Sequence, residues 1–272
     1  MRKFYLLLVM IACAMGVRAQ EIYGVFTQND EVMTLYYDNQ RTSRGGLLID
    51  VWPKTNEFLE RGHAVYTVIL DASMQDARPT STQQWFEEFE NLENIEHLEY
   101  LNTSNVTHMN MMFYACMSLS SLDLSGFNTS KLQNTYMMFE GCSALTQLDL
   151  RNFDVSHLTR CSYMFKDCEN LETILSKTQW AQYVGSANAE DMFLNCYSLV
   201  GGNGTHYSAS HTGIEYARPD KPGQPGYFTI TGQGIENTNA NANANAAKII
   251  RDGQLFIIRD GKTFNALGTE LK

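Results

Sequence analysis

Apolar residues recur in register along the middle of the chain, and this repeat is the strongest signal in the sequence. The pair Met-Phe occurs at 112–113, 138–139, 164–165 and 192–193, at intervals of 26, 26 and 28 residues. A Cys follows each Phe by three residues, and a Leu follows each Cys by three more. A degenerate earlier copy starts at Trp85-Phe86, so that about five copies occupy residues 84–200.

Each copy combines two periodicities, which predict a strand followed by a short helix. Leu122-Asp123-Leu124 alternates with period two, as expected of a short strand with both Leu side chains inward. Leu132, Tyr136 and Phe139 are spaced by four and three residues, which favours a helix. Stacked copies can bury the apolar faces that one copy cannot. The pattern therefore predicts an α/β fold, a leucine-rich-repeat solenoid of about five 26-residue strand–helix coils with a narrow parallel sheet.

The segment before the repeat is expected to cover one apolar end of the solenoid. Residues 22–27 and 32–37 predict a hairpin that turns at Asn29-Asp30. Residues 64–70 predict a further strand. We therefore expect a β-rich N-terminal cap over residues 20–83.

The segments after the repeat divide into three parts. Residues 201–231 are expected to form a β-rich cap over the other end of the solenoid. The Asn-Ala tract in 232–247 is typical of a flexible linker. Asp-Gly pairs at 252–253 and 260–261 flank a β-rich run and predict a three-stranded meander in 248–272.

Residues 1–19 have the features of a secretory signal peptide. Arg2 and Lys3 precede a short apolar run, and Ala19 places a small side chain at the expected cleavage point before Gln20. We therefore expect an exported protein. Cys13 leaves a lipid-anchored alternative open, because the residues before it weakly resemble a bacterial lipobox. No later apolar segment is long enough to predict a transmembrane helix.

The charge balance excludes some partners. The chain carries 30 acidic and 20 basic residues, a formal net charge of -10. Nucleic acid is not an expected partner, because binding it requires a basic field that neutralises phosphates. Docking on anionic lipid is disfavoured for the same reason. The sequence shows no phosphate-binding loop, nucleophile–base pair or paired-carboxylate motif, so we expect neither an enzyme nor a cofactor.

The cysteines of the repeat form one column, for which three interpretations remain open. Adjacent copies are expected about 5 Å apart, a separation that a disulfide can bridge. Cysteine is equally suited to packing in a core, and a metal site would require ligands that converge. We favour packing; Cys161 lies outside the column. The column comprises Cys116, Cys142, Cys168 and Cys196.

Two further groups invite a metal hypothesis that we do not favour. Asp123 and Asp149 would be neighbours on the sheet and, with Asp154, could hold a cation. His206 and His211 lie five residues apart in a Gly/Ser-rich loop. Solvated carboxylates and surface histidines are the commoner situation, so no metal site is predicted.

The copy from Asn105 to Ser130, with Met112-Phe113, Cys116 and Leu119 in its columns, resembles the BspA-like leucine-rich repeats of bacterial surface proteins. The resemblance extends over residues 22–231, and this part of the chain is similar to family versions found in Bacteroidales. It implies a Gram-negative cell surface, adhesion and host-protein binding, with no catalytic residues. The tail in 248–272 looks like a short C-terminal segment of exported Bacteroidales proteins, which leaves a role in sorting or attachment open.

The function we expect is a protein-interaction module that binds macromolecules on host or neighbouring cells. The contacts would come from the outward positions of the strands, which we call the polar sheet face. The alternative is a structural or self-assembling envelope component without a host ligand. The polar sheet face comprises Asn94, Glu96, Ser121, Asp123, Ser125, Gln147, Asp149, Arg151 and Thr173.

Overall fold

The chain folds as a mixed α/β protein that is rich in sheet and has few helices. The computed structural model describes residues 19–51 and 53–230, and the backbone of four further strands between residues 246 and 271. Residues 1–18 of the predicted signal, and residues 232–245 of the predicted linker, lie outside the described residues. Within the described part of the chain, no helix is long and apolar enough to cross a membrane.

The N-terminal segment builds a five-stranded sheet that joins the first strand of the repeat. The elements in chain order are β1 (Glu21–Thr27), β2 (Val32–Asp38), α1 (Arg41–Arg44), β3 (Leu47–Leu48), α2 (Asn56–Gly62), β4 (Thr67–Leu70), a 3-10 helix (Ala72–Asp76) and β5 (Asn94–Glu96). The strand order is β3-β1-β2-β4-β5. The predicted β1–β2 hairpin is confirmed, with antiparallel pairing from Glu21 opposite Asp38 to Thr27 opposite Val32. Strands β2, β4 and β5 pair in parallel, which aligns the cap with the repeat.

A second sheet covers the far end of the repeat. Its strands are β6 (Gln147–Asp149), β7 (Thr173–Leu175) and β8 (Phe228–Thr229), paired in parallel in that order. The strand predicted at Leu122-Asp123-Leu124 does not form. That segment lies between β5 and β6 in the sequence and belongs to neither sheet. The same Leu-Asp-Leu motif recurs at 148–150, and there its first two residues lie in β6.

The prediction of a helix in each copy is wrong. Residues 84–200 are all described, and they contain 3-10 turns but no α-helix. Two positions in each copy have positive φ. One precedes the Met-Phe pair, as Met137 does at 54°, and the other precedes the column Cys, as Gly141 does at 77°. These alternating conformations produce a ribbon of turns. Only Gly141 among the corresponding positions is a glycine, so the sequence carries no glycine signal for them.

The ribbon of turns is stabilised by backbone hydrogen bonds between neighbouring copies. Every second N–H group donates to the next copy: Met137 to Ser162, Phe139 to Met164 and Gly141 to Lys166, at 2.9–3.1 Å. The intervening N–H groups donate three residues back within their own copy, as Cys142 does to Phe139. A helix would have kept all of these bonds inside one copy. Parallel bridges continue the contact through Ser81, His108, Asn134 and Arg160.

A stack of phenylalanine rings forms the axis of the core. Phe86, Phe113, Phe139, Phe165 and Phe193 follow one another with ring centroids 5.6–5.9 Å apart. All five rings are fully buried. The caps extend this stack, because Phe58 of α2 packs near Phe89 at one end and Tyr227 packs on Phe193 at the other.

Buried threonine hydroxyls join the turns on another side of the copies. Thr129 is 2% exposed, and its hydroxyl accepts the N–H of Asp154 at 2.7 Å. Thr103 does the same for Asn128, also at 2.7 Å. Asn128 and Asp154 in turn accept the N–H of the Ser two residues ahead. Val155 replaces Thr at the equivalent position of the next copy.

The column cysteines are buried and free, and each thiol lies against a carbonyl of the preceding copy. Cys142 Sγ donates to Phe113 O at 3.1 Å, and the other three column thiols make the equivalent contact at 2.9–3.2 Å. Cys161 is also buried and free. Burial raises the pKa of Cys142 and of Cys161 to about 12. The geometry is that of small core residues with a weak donor.

The C-terminal cap was expected to be β-rich, and this is wrong for its described residues. Residues 201–230 contain only the two-residue β8 and a 3-10 helix (Ile214–Tyr216). Asp220 organises the loop instead, because its fully buried carboxylate accepts the N–H groups of Asn203 and Thr205 at 2.9 Å. The Thr205 hydroxyl donates to the same carboxylate at 2.7 Å.

The tail forms four strands rather than the three predicted. They are β9 (Ala246–Arg251), β10 (Gln254–Arg259), β11 (Lys262–Asn265) and β12 (Glu270–Leu271). The order β12-β11-β10-β9 is an antiparallel meander. Strand β9 begins at Ala246, inside the predicted linker, so the tail's first strand starts two residues before the predicted boundary at 248.

Replacing Thr129 by Val tests the threonine contacts. The substitution keeps the shape but leaves the Asp154 N–H without its acceptor, which should lower the free energy of unfolding by about 1–3 kcal/mol. Thr146→Val, the same change at an exposed residue, should stay within about 0.5 kcal/mol of the parent. Equal midpoints for both variants in urea denaturation would contradict this role.

Thiol labelling tests the burial of the cysteines. The raised pKa lowers the thiolate fraction of Cys142 roughly 1,000-fold relative to an ordinary thiol, and the thiolate is the reactive form. The folded protein, produced from Gln20, should therefore react with a disulfide reagent only as fast as it unfolds. All five cysteines should react at once in denaturant. Rapid labelling of the folded protein would contradict the packing shown by the structure.

Candidate functional site

The polar sheet face predicted from the sequence lies along β5, β6 and β7, on either side of the unpaired copy at 121–123. The register places Gln147 beside Thr173. Seven of its nine side chains are exposed, and Asp149 and Thr173 are half-buried. The residues therefore share one solvent-facing surface.

Two grooves open on this surface, and both are lined by Ser121, Leu122 and Asp123. Groove 1, of about 210 Å³, lies on the β5 side of this segment. Groove 2, of about 340 Å³, lies on the β6 side and adds mainly polar groups such as Thr146, Gln147 and Asp149. Glu96, Arg151 and Thr173 line neither groove. The complete lining of groove 1 is Asn94, Ile95, Leu98, Glu99, Ser121, Leu122, Asp123, Ser125, Gly126 and Phe127.

The grooves exist because the sheet is interrupted at this copy. Within the described residues, the backbone of Ser121–Asp123 makes no hydrogen bond to β5 or β6. The interruption also uncovers side chains that the pattern directs inward. Leu122 and Ile95 are partly exposed, whereas Leu148 at the equivalent position is fully buried. Unpaired backbone and apolar surface thus occur together at one place.

The two aspartates of the face differ in how their charge is compensated. Asp149 is bound by its neighbour Arg151, with Nε 2.8 Å from Oδ1, and this hydrogen bond lowers the pKa of Asp149. Asp123 accepts the backbone N–H of Ser125 at 2.9 Å, and this bond lowers the pKa of Asp123. Both carboxylates are therefore ionised at neutral pH. Arg151 offsets the charge of Asp149, while Asp123 has only a neutral partner.

Six residues that line groove 1 lie outside the polar sheet face predicted from the sequence, and they are Ile95, Leu98, Glu99, Leu122, Gly126 and Phe127. Leu98 and Glu99 belong to a 3-10 helix (Leu98–Tyr100) that follows β5, and Phe127 lies in the turn after the unpaired segment. The sequence pattern designates only the outward strand positions as candidates. A single sequence carries no signal that the sheet would open, so residues beyond the strand ends were not considered.

The metal hypotheses gain no support from the geometry. No group of three or more His, Cys, Asp or Glu side chains that could hold a metal occurs among the described residues. His211 stacks on Tyr216 with ring centroids 4.4 Å apart, and His206 is exposed. Asp154 accepts the N–H of Ser156 at 2.9 Å within its own turn.

Comparison with known proteins finds a similar family for the repeat. Residues 80–202, less than half of the chain, match a family described as Mycoplasma protein of unknown function, DUF285. No curated protein matches the chain. A solved leucine-rich repeat protein of T. pallidum is 20% identical, with 65% of this chain and 76% of that chain covered, but its TM-score of 0.36 is too low to support an argument. The repeat is thus similar to the DUF285 family.

Proposed function

We propose that the chain is a non-catalytic, BspA-like leucine-rich-repeat protein whose polar sheet face binds other proteins. The observation that carries the proposal is the position of the two grooves, which open on the face that the sequence pattern designates as outward. In this proposal the hydrogen-bonded copies of 84–200 form a short solenoid between two caps. The inter-copy ladder and the phenylalanine stack support that arrangement.

The division between a repeated core and a varied face supports a binding role. The inward columns repeat Phe, Cys and Leu in successive copies and are buried. The outward positions change from copy to copy, as Asn94, Gln147 and Thr173 illustrate. Such a scaffold holds different side chains in fixed relative positions, which is what recognition of a partner requires.

The small area of the face determines how it would be used. Strands of three residues, at about 3.3 Å per residue and 4.8 Å between strands, give a face of a few hundred Å². Standard interfaces bury about 800 Å² on each partner. We therefore propose weak single contacts that become effective when many copies on one surface act together.

We also propose export to a Gram-negative cell surface. The supporting features are the charged and apolar residues of 1–19 and the resemblance to surface proteins. Mass spectrometry of the protein isolated from the native cell envelope or medium should find an N-terminus at Gln20. Recovery of the chain from the cytoplasm with Met1 intact would contradict export, and a lipid on Cys13 would identify the anchored alternative.

The binding proposal is tested with beads that carry many copies of the chain from Gln20, presented to immobilised host matrix and plasma proteins. The site variant combines Asp123→Asn, Gln147→Ala, Asp149→Asn and Arg151→Ala. We expect saturable binding by the parent and a loss of at least about tenfold in the site variant, because the face would lose three of its charged side chains, two of which line the grooves.

A matched control makes the same kinds of change at exposed residues outside the face. It combines Glu60→Gln, Gln133→Ala, Glu169→Gln and Lys177→Ala, with an equal change in net charge. The control should bind like the parent. Equal binding by the site variant and the parent would remove the face from the proposal. No binding by the parent beads, together with concentration-dependent oligomers in solution, would favour a structural role instead.

A further inference from the structure

Groove 1 has an apolar floor that ordinary packing would have closed. Leu98 and Phe127 are 6% and 5% exposed, and Ile95 and Leu122 contribute partly exposed side chains. In β6 and β7 the residues equivalent to Leu122 are 0% exposed. The floor therefore offers contact to the aliphatic part of a ligand, at a position where the rest of the fold buries such residues.

The rim of groove 1 is acidic, although the imidazole Nδ1 of His97 lies 3.3 Å from Glu99 Oε1. Glu99 and Asp123 line it, and Glu96 of β5 is exposed nearby. Among the residues that line the groove, none is Lys or Arg. The one guanidinium of the polar sheet face, that of Arg151, is bound to Asp149 on the other side of the unpaired copy. The formal net charge of -10 gives the surroundings the same sign.

The size of groove 1 restricts what can fill it. Small-molecule sites usually measure about 300–1,000 Å³, and groove 1 measures about 210 Å³. A single long side chain is a better match to this volume. An anionic group would be repelled by the carboxylates of the rim, and a purely apolar group would displace water from them without replacing its hydrogen bonds, which is unfavourable.

We propose that groove 1 binds a basic side chain, lysine or arginine, presented by a partner protein. The methylene stem would lie on Leu98 and Leu122, and the cationic head would reach the carboxylates of Glu99 and Asp123. Long basic side chains combine an apolar stem with a charged end, which is the division between floor and rim seen here. This inference rests on the proposed function and specifies the chemistry of the partner.

Fluorescence anisotropy with short labelled peptides tests the inference. The probes are Gly/Ser peptides with one central Arg or Lys, and the same peptides with citrulline or norleucine at that position. We expect the basic peptides to bind at least tenfold more tightly than the neutral ones, and higher salt to weaken only the basic ones. Multivalent peptide on a carrier raises weak binding into a measurable range.

The variant Glu99→Gln with Asp123→Asn removes the charge of the rim while keeping its shape and the turn acceptor of Asp123. It should lose at least tenfold in affinity for the basic peptides. The control, Glu60→Gln with Glu169→Gln, makes the same change in net charge at exposed sites elsewhere and should retain full affinity. Equal losses in both variants would show nonspecific charge attraction and overturn the site.

Failure of this inference can be told from failure of the proposed function. In one outcome, host proteins bind the parent but not the site variant, while basic and neutral peptides bind equally well. The polar sheet face is then an interface, but groove 1 does not bind a basic side chain. If the basic peptides bind groove 1 while no host protein binds, the groove is supported and the host-binding function is not. Absence of peptide binding to the parent, even in multivalent form, overturns the inference.

Discussion

The fold depends on backbone hydrogen bonds that run between copies of the repeat. A helix satisfies its N–H groups internally, and two stacked helices therefore share only side-chain contacts. Here every second N–H group of the turn ribbon donates to the next copy, as Phe139 does to Met164 at 3.0 Å. This requirement fixes the register of the copies, aligns the phenylalanine rings and places each cysteine thiol against a carbonyl of the preceding copy.

The opening at Ser121–Asp123 lies between the two sheets, because this segment pairs with neither of them. The N-terminal sheet incorporates β5, and the C-terminal segment pairs β8 with β7 and through it with β6. The copy between them has a continuous turn ribbon but no partner strand. The face thus has a paired strand on each side of an interruption, and the apolar floor and acidic rim of groove 1 meet at that interruption. This arrangement is the physical basis of the proposal that the polar sheet face binds other proteins around groove 1 and groove 2.

The sequence predicted the core well and the backbone poorly, for reasons visible in particular residues. The Met-Phe, Cys and Leu columns are all buried, because a periodic apolar pattern reports burial directly. The turn ribbon was missed since Met137 and Tyr163 adopt positive φ without being glycine, at a cost of about 1–2 kcal/mol each that inter-copy bonding offsets. Leu122-Asp123-Leu124 and Leu148-Asp149-Leu150 have identical sequences, yet only the second contains a paired strand. Local sequence cannot distinguish them, because the difference lies in whether a neighbouring copy pairs with the segment, as β7 does with β6, and so the grooves could not be predicted.

Amide hydrogen exchange at two equivalent leucines tests the central claim most directly. The Leu150 N–H donates to Leu175 O at 2.9 Å, whereas the Leu124 N–H, at the same position of the preceding copy, has no backbone acceptor among the described residues. Both leucine side chains are buried, so the comparison isolates backbone pairing. The account predicts slow exchange at Leu150 and exchange at least about 100-fold faster at Leu124, through local opening rather than global unfolding. Equal protection of the two amides would show a continuous sheet and would contradict the grooves on which the proposed function depends.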